Sequence, residues 1–382
     1  MISLAVVRFD FSRLPTERER KALTIRRDRL TAAQKTRTVA VANLGKLSAE
    51  RELTAVRVRD GFVRLPFPLV DDTSDRSAPA PEHRPTSTRL MTPNGIGLRL
   101  MLIALFEAQS RTAPGTRADG TPIPLHARVG SGRIGWTTLL SSSAQPAGDG
   151  KYRMSVVDKQ MRQLQTTFTK LEREGLIEPA DPKRRGRGRY EGFFLRYENI
   201  RSGETGDRYR VPDSEDPYFD IPVSLFTNGW IHVLEDSELA LLLITIRMYH
   251  RHGAEPQKLA AGTRLLHYGL SRDATESHLM LTRLGLIESH GDPARTDHGK
   301  VTAVSWADAP GESQHRPLDV LAFRIRRLLA VLSQPRCCHA HRPGVADYRP
   351  LGCSLASLPG HPMWVSPPAS PVLRRRPPPR PR

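Results

Sequence analysis

The 382-residue chain holds only three cysteines, Cys337, Cys338 and Cys353. No disulfide framework is implied, and low cysteine use suits the cytoplasm. No CxxC pair occurs, and adjacent cysteines suit one tetrahedral site poorly, so Cys337, Cys338, His339, His341, Cys353 and His361 are not expected to bind zinc. No apolar run approaches the roughly 18 residues of a membrane span. The longest, Leu239 to Ile246, reads as a core helix. The opening MISLAVVRFDF has no signal-peptide layout. No GK[ST] follows Gly95-Ile-Gly97, so it is not a phosphate loop, and His250, His252 and His267 lack an obvious carboxylate partner set. The expectation is a protein that is not an enzyme and needs no cofactor, metal or small-molecule ligand.

Acid is also scarce. Lys plus Arg is 58 against 40 for Asp plus Glu, a formal charge of +18. A balance this basic points to a polyanionic partner, nucleic acid before membrane. The charge is uneven. Residues 1–60 hold 14 basic and 7 acidic residues, net +7, and residues 151–200 hold 12 and 7, net +5. Residues 213–310 hold 8 and 14, net −6, whereas 311–382 hold 12 and 3, net +9. Different segments should therefore meet different partners.

Along the chain, residues 1–69 form a basic N-terminal region, with helices expected at 16–37 and 46–56 on a weak apolar pattern. Residues 70–93 are a Pro/Ser/Asp/Thr linker, too polar to pack. A helix from Gly97 to Gln109 carries Leu98, Met101, Leu102, Leu105 and Phe106 at helical spacing. Arg133 to Leu140 suggests a short strand leading into a helix. Ser155 then caps a helix whose stripe is Val157, Met161, Leu164, Phe168 and Leu171. Gly175 ends it, a strand starts at Leu176, a loop covers 179–189, and Tyr190 to Tyr197 is a second strand.

A related order recurs downstream. A helix from Asp236 or Ser237 to about His252 is followed by a shorter one, Leu259 to Tyr268, and by another capped by Ser271 and stopped at Gly285. A strand over 286–289, a loop and a strand over 301–306 complete it. LEREGLIEP at Leu171 and LTRLGLIES at Leu281 coincide in Leu, Arg, Gly, Leu, Ile and Glu, 110 residues apart. Beyond residue 311 the chain has 13 of the 32 prolines and no lysine. It reads as a disordered Pro/Arg-rich tail, apart from an amphipathic helix expected within 317–332.

Three helices, a strand, a basic loop and a strand, with the corner L-x-x-x-GLIE, resemble the winged-helix superfamily of bacterial DNA-binding proteins. Two copies in tandem are similar to plasmid replication initiators. The resemblance implies an α+β, mostly helical fold with two winged-helix-like modules, 94–212 and 213–310, between basic, partly disordered flanks. In the first module, Lys159, Gln160, Arg162, Gln163 and Thr166 face away from the apolar stripe. Arg can fork onto guanine and Gln onto adenine in a major groove that admits one helix. Lys183, Arg184, Arg185, Arg187 and Arg189 crowd the following loop, with Gly186 and Gly188 allowing close approach to phosphate. The second module offers Arg272, Arg283, Arg295 and Lys300, but beside Asp273, Glu276, Asp292 and Asp297. Acid facing phosphate weakens binding, so this copy is expected to be a partner module or weaker reader. The expected function is site-specific double-stranded-DNA binding in the cytoplasm, associated with the nucleoid. Transcriptional regulation leads. Replication initiation and a nucleic-acid-associated scaffold are the alternatives, and a two-fold homodimer remains open.

Overall fold

The computed structural model describes residues 14–68, 78–92, 95–127, 132–144, 155–290 and 321–325. The fold is α+β. Helices α1 (Glu17–Ala32) and α2 (Gln34–Ala49) lead into strand β1 (Ala55–Arg59). Short α3 (Thr86–Arg89), long α4 (Gly97–Arg111), short α5 (Trp136–Leu139) and α6 (Val156–Arg173) follow. Strands β2 (Ile177–Glu178), β3 (Phe194–Leu195) and β4 (Tyr218–Pro222) precede short α7 (Ser224–Thr227) and α8 (Trp230–Val233) and long α9 (Asp236–His252). Strand β5 (Gln257–Leu259), a π-helical turn (Thr263–His267), α10 (Arg272–Thr275), α11 (Ser277–Arg283), β6 (Ile287–His290) and β7 (Leu321–Ile325) complete the described elements. No helix among the described residues is long and apolar enough to cross a membrane.

Among the described residues, three small antiparallel sheets tie distant segments together. β1 pairs with β4, with Ala55 opposite Pro222 and Arg59 opposite Tyr218. β2 pairs with β3. The third sheet has the order β5-β7-β6, so β7 is its central strand. Here the structure corrects the sequence reading. Residues 321–325, expected in a disordered tail or a helix, form a strand, because both ladder edges of β5 and β6 are open to it. The strand expected at 301–306 lies outside the described residues. A helix over 46–56 gives way to β1, where Val56 and Val58 alternate into the core against β4. Leu259 to Tyr268 divides between β5 and the π-helical turn. Arg133 to Leu140 forms no strand, only the turn of α5.

The 78–92 part of the expected linker packs after all. Thr86, Ser87, Thr88 and Arg89 are buried. Three of the four find partners far along the chain: Thr86 donates to the Ile200 carbonyl at 3.2 Å, Thr88 to that of Tyr268 at 2.9 Å, and Arg89 pairs with Glu174 at 2.8 Å, while the Ser87 hydroxyl has none. A polar segment can be buried where most of its groups find partners.

One continuous apolar core runs through α2, β1, α4, α6, β4 and α9. Helix α4 is buried on nearly every side, including polar Glu107 and Gln109. Gln109 donates to Tyr209 Oη and the Arg57 carbonyl, both at 2.8 Å. Trp136, Phe168, Tyr190 and Phe193 cluster with ring centroids 4.7–6.1 Å apart, locking α5, α6 and the β2–β3 loop together.

The repeated GLIE corner folds alike in both copies. Gly175 has φ of 72° and Gly285 of 74°. Leu176 N–H donates to the Leu171 carbonyl at 2.9 Å, and Leu286 N–H to that of Leu281 at 3.0 Å. Both are helix ends closed by a left-handed residue, where glycine carries no Cβ penalty.

One core residue sets an acid sensitivity. His232 on α8 is buried, and neither ring nitrogen has a hydrogen-bond partner. Burial, with Arg99 and Arg37 nearby, lowers its pKa from 6.5 to about 3. Between these values only the unfolded chain binds the proton. Its contribution is therefore complete above pH 6.5 and is lost as pH falls, by about 2 kcal/mol at pH 5. His232→Leu should fold as stably at pH 7.5 and lose less on acidification. Urea titrations of both proteins at pH 7.5 and 5 measure the difference, and equal acid losses would refute the assignment.

Candidate nucleic-acid interface

Helix α6 starts where its sequence dictates. Ser155 Oγ accepts the Asp158 backbone N–H at 3.0 Å and donates to the Asp158 carboxylate at 2.7 Å. Met161, Leu164, Phe168 and Leu171 are buried, and Val157 is half-buried. On the opposite side Arg162, Gln163 and Thr166 are exposed, while Lys159 and Gln160 are half-buried. Lys159, Arg162, Gln163 and Thr166 line one groove of about 580 Å³. Gln160 lies outside it. Among the described residues, no carboxylate lines this groove.

The far wall comes from Thr92 and the start of α4. A Cβ at Gly95 would sit 1.7 Å from Thr92 Oγ1, so the turn requires glycine. Thr92 N–H donates to Asp236 Oδ2 at 3.2 Å, which fastens this wall to the first turn of α9. Burial pushes the Asp236 carboxyl up to about 6 against the pull of Arg99. Lys170, which also lines the groove, donates from Nζ to the Leu90 carbonyl at 3.3 Å, and burial lowers its pKa. Thr92 and Lys170 are residues that sequence reading missed. Thr92 falls in the segment that composition marks as linker, and nothing local places Lys170 beside it.

The basic loop between β2 and β3 exposes Lys183, Arg184 and Arg185. Arg187 lies in the single 3-10 turn Gly186–Gly188. Arg189 differs from its neighbours. Its guanidinium donates to Glu172 Oε1 at 2.6 Å and to the Pro182 and Arg184 carbonyls at 2.9 and 3.2 Å. Tyr190 Oη also donates to Glu172, at 2.7 Å. Arg189 thus fastens the loop to the last turn of α6, and its donors are engaged in holding the loop closed.

The second copy presents less. Its counterpart to α6 is broken at Glu276 into α10 and α11, and Ser277 and His278 are buried. Arg272 and Arg283 are exposed near the two ends, with Asp273 exposed beside Arg272. Arg295 and Lys300 lie outside the described residues. No family model, curated protein or solved structure matches the chain. The chemistry of this surface therefore stands on its own geometry. It can donate hydrogen bonds from guanidinium, ammonium and amide groups along one helix face, beside an exposed cationic loop.

Proposed function

We propose that this protein binds double-stranded DNA at specific sites, with α6 reading base edges and the β2–β3 loop gripping phosphates. The observation that carries the reading is the α6 face, where Lys159, Arg162, Gln163 and Thr166 share a groove lined, among the described residues, by no carboxylate. Such a face suits major-groove donors and acceptors, and the exposed Lys183, Arg184 and Arg185 suit the backbone. In this reading 94–212 is one winged-helix-like module, and the second runs from 213 to β7. The order of elements and the central place of β7 support it. The biological role we favour is transcriptional regulation. Replication initiation is the second reading, favoured by two modules that share one core and so offer two fixed contacts from a single chain.

Selection of bound sequences from a random duplex pool tests the reading, and recovery of no shared motif would defeat it. Arg162→Ala and Gln163→Ala should each cost about 1–3 kcal/mol on the selected site and little on random duplex. Arg184→Ala with Arg185→Ala should weaken binding to all sequences alike, lowering the slope of log K against log salt by about 1.8. Equal losses on specific and random duplex from the α6 variants would leave only a scaffold that neutralises nucleic acid.

A further inference from the structure

We propose that the outer face of α1 and α2 is a further contact for duplex DNA, tracking the sugar-phosphate backbone beside the stretch read by α6. The proposal rests on the DNA-binding reading and adds a surface that the sequence motifs leave unassigned.

The two helices behave as one rod. Ala33 N–H donates to the Arg29 carbonyl at 3.0 Å and Arg37 N–H to that of Ala33 at 2.9 Å, so the helical phase continues through the junction. One seam is buried at alternating steps of four and three: Glu19, Leu23, Arg26, Leu30, Ala33, Arg37, Ala40, Leu44 and Leu47. Beside it Arg20, Thr24, Arg27, Thr31, Lys35 and Thr38 form a continuous exposed ridge at steps of three and four. Arg18, Lys21 and Lys46 are exposed as well. Between Arg18 and Lys46 the one exposed acid is Asp28, 3.1 Å from Arg27.

The rod is held against the elements that carry α6. Thr36 Oγ1 donates to the Ser142 carbonyl and accepts the Ser142 N–H, both at 2.9 Å. Asn43 Nδ2 donates to Thr138 Oγ1 on α5 at 3.0 Å, and α5 packs on α6 through Trp136 and Phe168. At its other end Arg26 pairs with Glu238 at the start of α9, and Arg29 with Glu235. The cations are therefore presented on a fixed helix.

Charge decides the occupant. From Arg20 to Lys35 the rod spans about 22 Å at 1.5 Å per residue, a length of roughly six to seven base pairs. Threonine hydroxyls between the cations offer short donors to phosphate oxygens. Insertion into a lipid surface needs an apolar stripe, and the large apolar side chains exposed on this rod are only Ile25 and Val39.

The test uses the full chain, a random-sequence 40-base-pair duplex and KCl from 50 to 200 mM. Arg20→Ala, Arg27→Ala and Lys35→Ala combined should lower the salt slope by about 2.7. The gain in affinity on dilution to 50 mM should then shrink about 40-fold relative to the native chain. These side chains are exposed, so the thermal midpoint should hold. An unchanged slope, with the Arg184→Ala/Arg185→Ala protein losing its share, would overturn the ridge and leave the DNA reading standing. No duplex binding by the native chain would remove both. Binding to vesicles of one-third phosphatidylserine that needs these residues, without a duplex effect, would replace DNA with a membrane.

Discussion

Replacing Arg59 by methionine should cost about 3–5 kcal/mol of stability. Arg59 and Glu198 are buried, with side-chain exposures of 4% and 0%, and their charged groups meet at 3.2 Å. Arg59 also pairs with Asp216 at 3.1 Å, donates to the Arg210 carbonyl at 2.9 Å, and stacks 4.4 Å over the Tyr197 ring. Burial pushes the Glu198 carboxyl up, and Arg59 pulls it back. Without the guanidinium a buried carboxylate has lost its charge partner and must take up a proton or remain at high cost. Glu198 also accepts the Arg59 backbone N–H at 2.9 Å, a bond that glutamine can keep. The double variant Arg59→Met/Glu198→Gln should therefore recover part of the loss. Urea midpoints of the two single variants, the double variant and the native chain close the cycle. A loss for Arg59→Met below about 1 kcal/mol would mean that the pair is solvated in solution.

Ending the chain after Gly311 should destabilise it by about 5 kcal/mol, at roughly 1 kcal/mol net for each ladder hydrogen bond. The cut removes β7, which faces β5 from Leu259↔Leu321 to Gln257↔Phe323 and β6 from Ile287↔Ile325 to His290↔Ala322. β5 and β6, already the outer strands of this sheet, lose their ladder partner and are left with unpaired backbone groups. Phe323→Pro should act in the same direction but less, because it removes one backbone donor from a central strand. Thermal melts of the three chains provide the comparison. Superimposable curves for full and shortened chains would show that the sheet does not need β7.

The parts legible in the sequence share a physical cause. Ser155, the apolar row Met161, Leu164, Phe168 and Leu171, and Gly175 specify α6 within twenty-odd consecutive residues. A cap, a periodic stripe and a left-handed stop act over one or two turns, so no distant partner is needed. The exposed face of α6 follows directly, since whatever is not on the stripe points away from it. The same locality explains why the Gly285 corner was readable, even though α10 and α11 break at Glu276.

The misread parts are those whose conformation depends on a partner far along the chain. β1 sits between a helix and a short turn, and only β4, more than 150 residues on, makes it a strand. Thr86 to Arg89 looks like linker until Ile200, Tyr268 and Glu174 take up Thr86, Thr88 and Arg89. In the sequence Arg189 is indistinguishable from the other cations of its loop, because spacing shows charge and not pairing. The Glu172 carboxylate, on the previous helix, takes it up.

The sequence alone determined the charge distribution, the α6 stripe with its polar face, the duplicated corner and the cluster of loop cations, all of them set by neighbours within a few turns. Tertiary structure decided that α6 shares a groove with Thr92 and Lys170, that Arg189 is a fastening, that β7 is a central strand, and that the N-terminal helices turn a row of cations outward. Each of those depends on which buried surface or open ladder edge a segment meets, and long-range packing fixes that while local propensity does not.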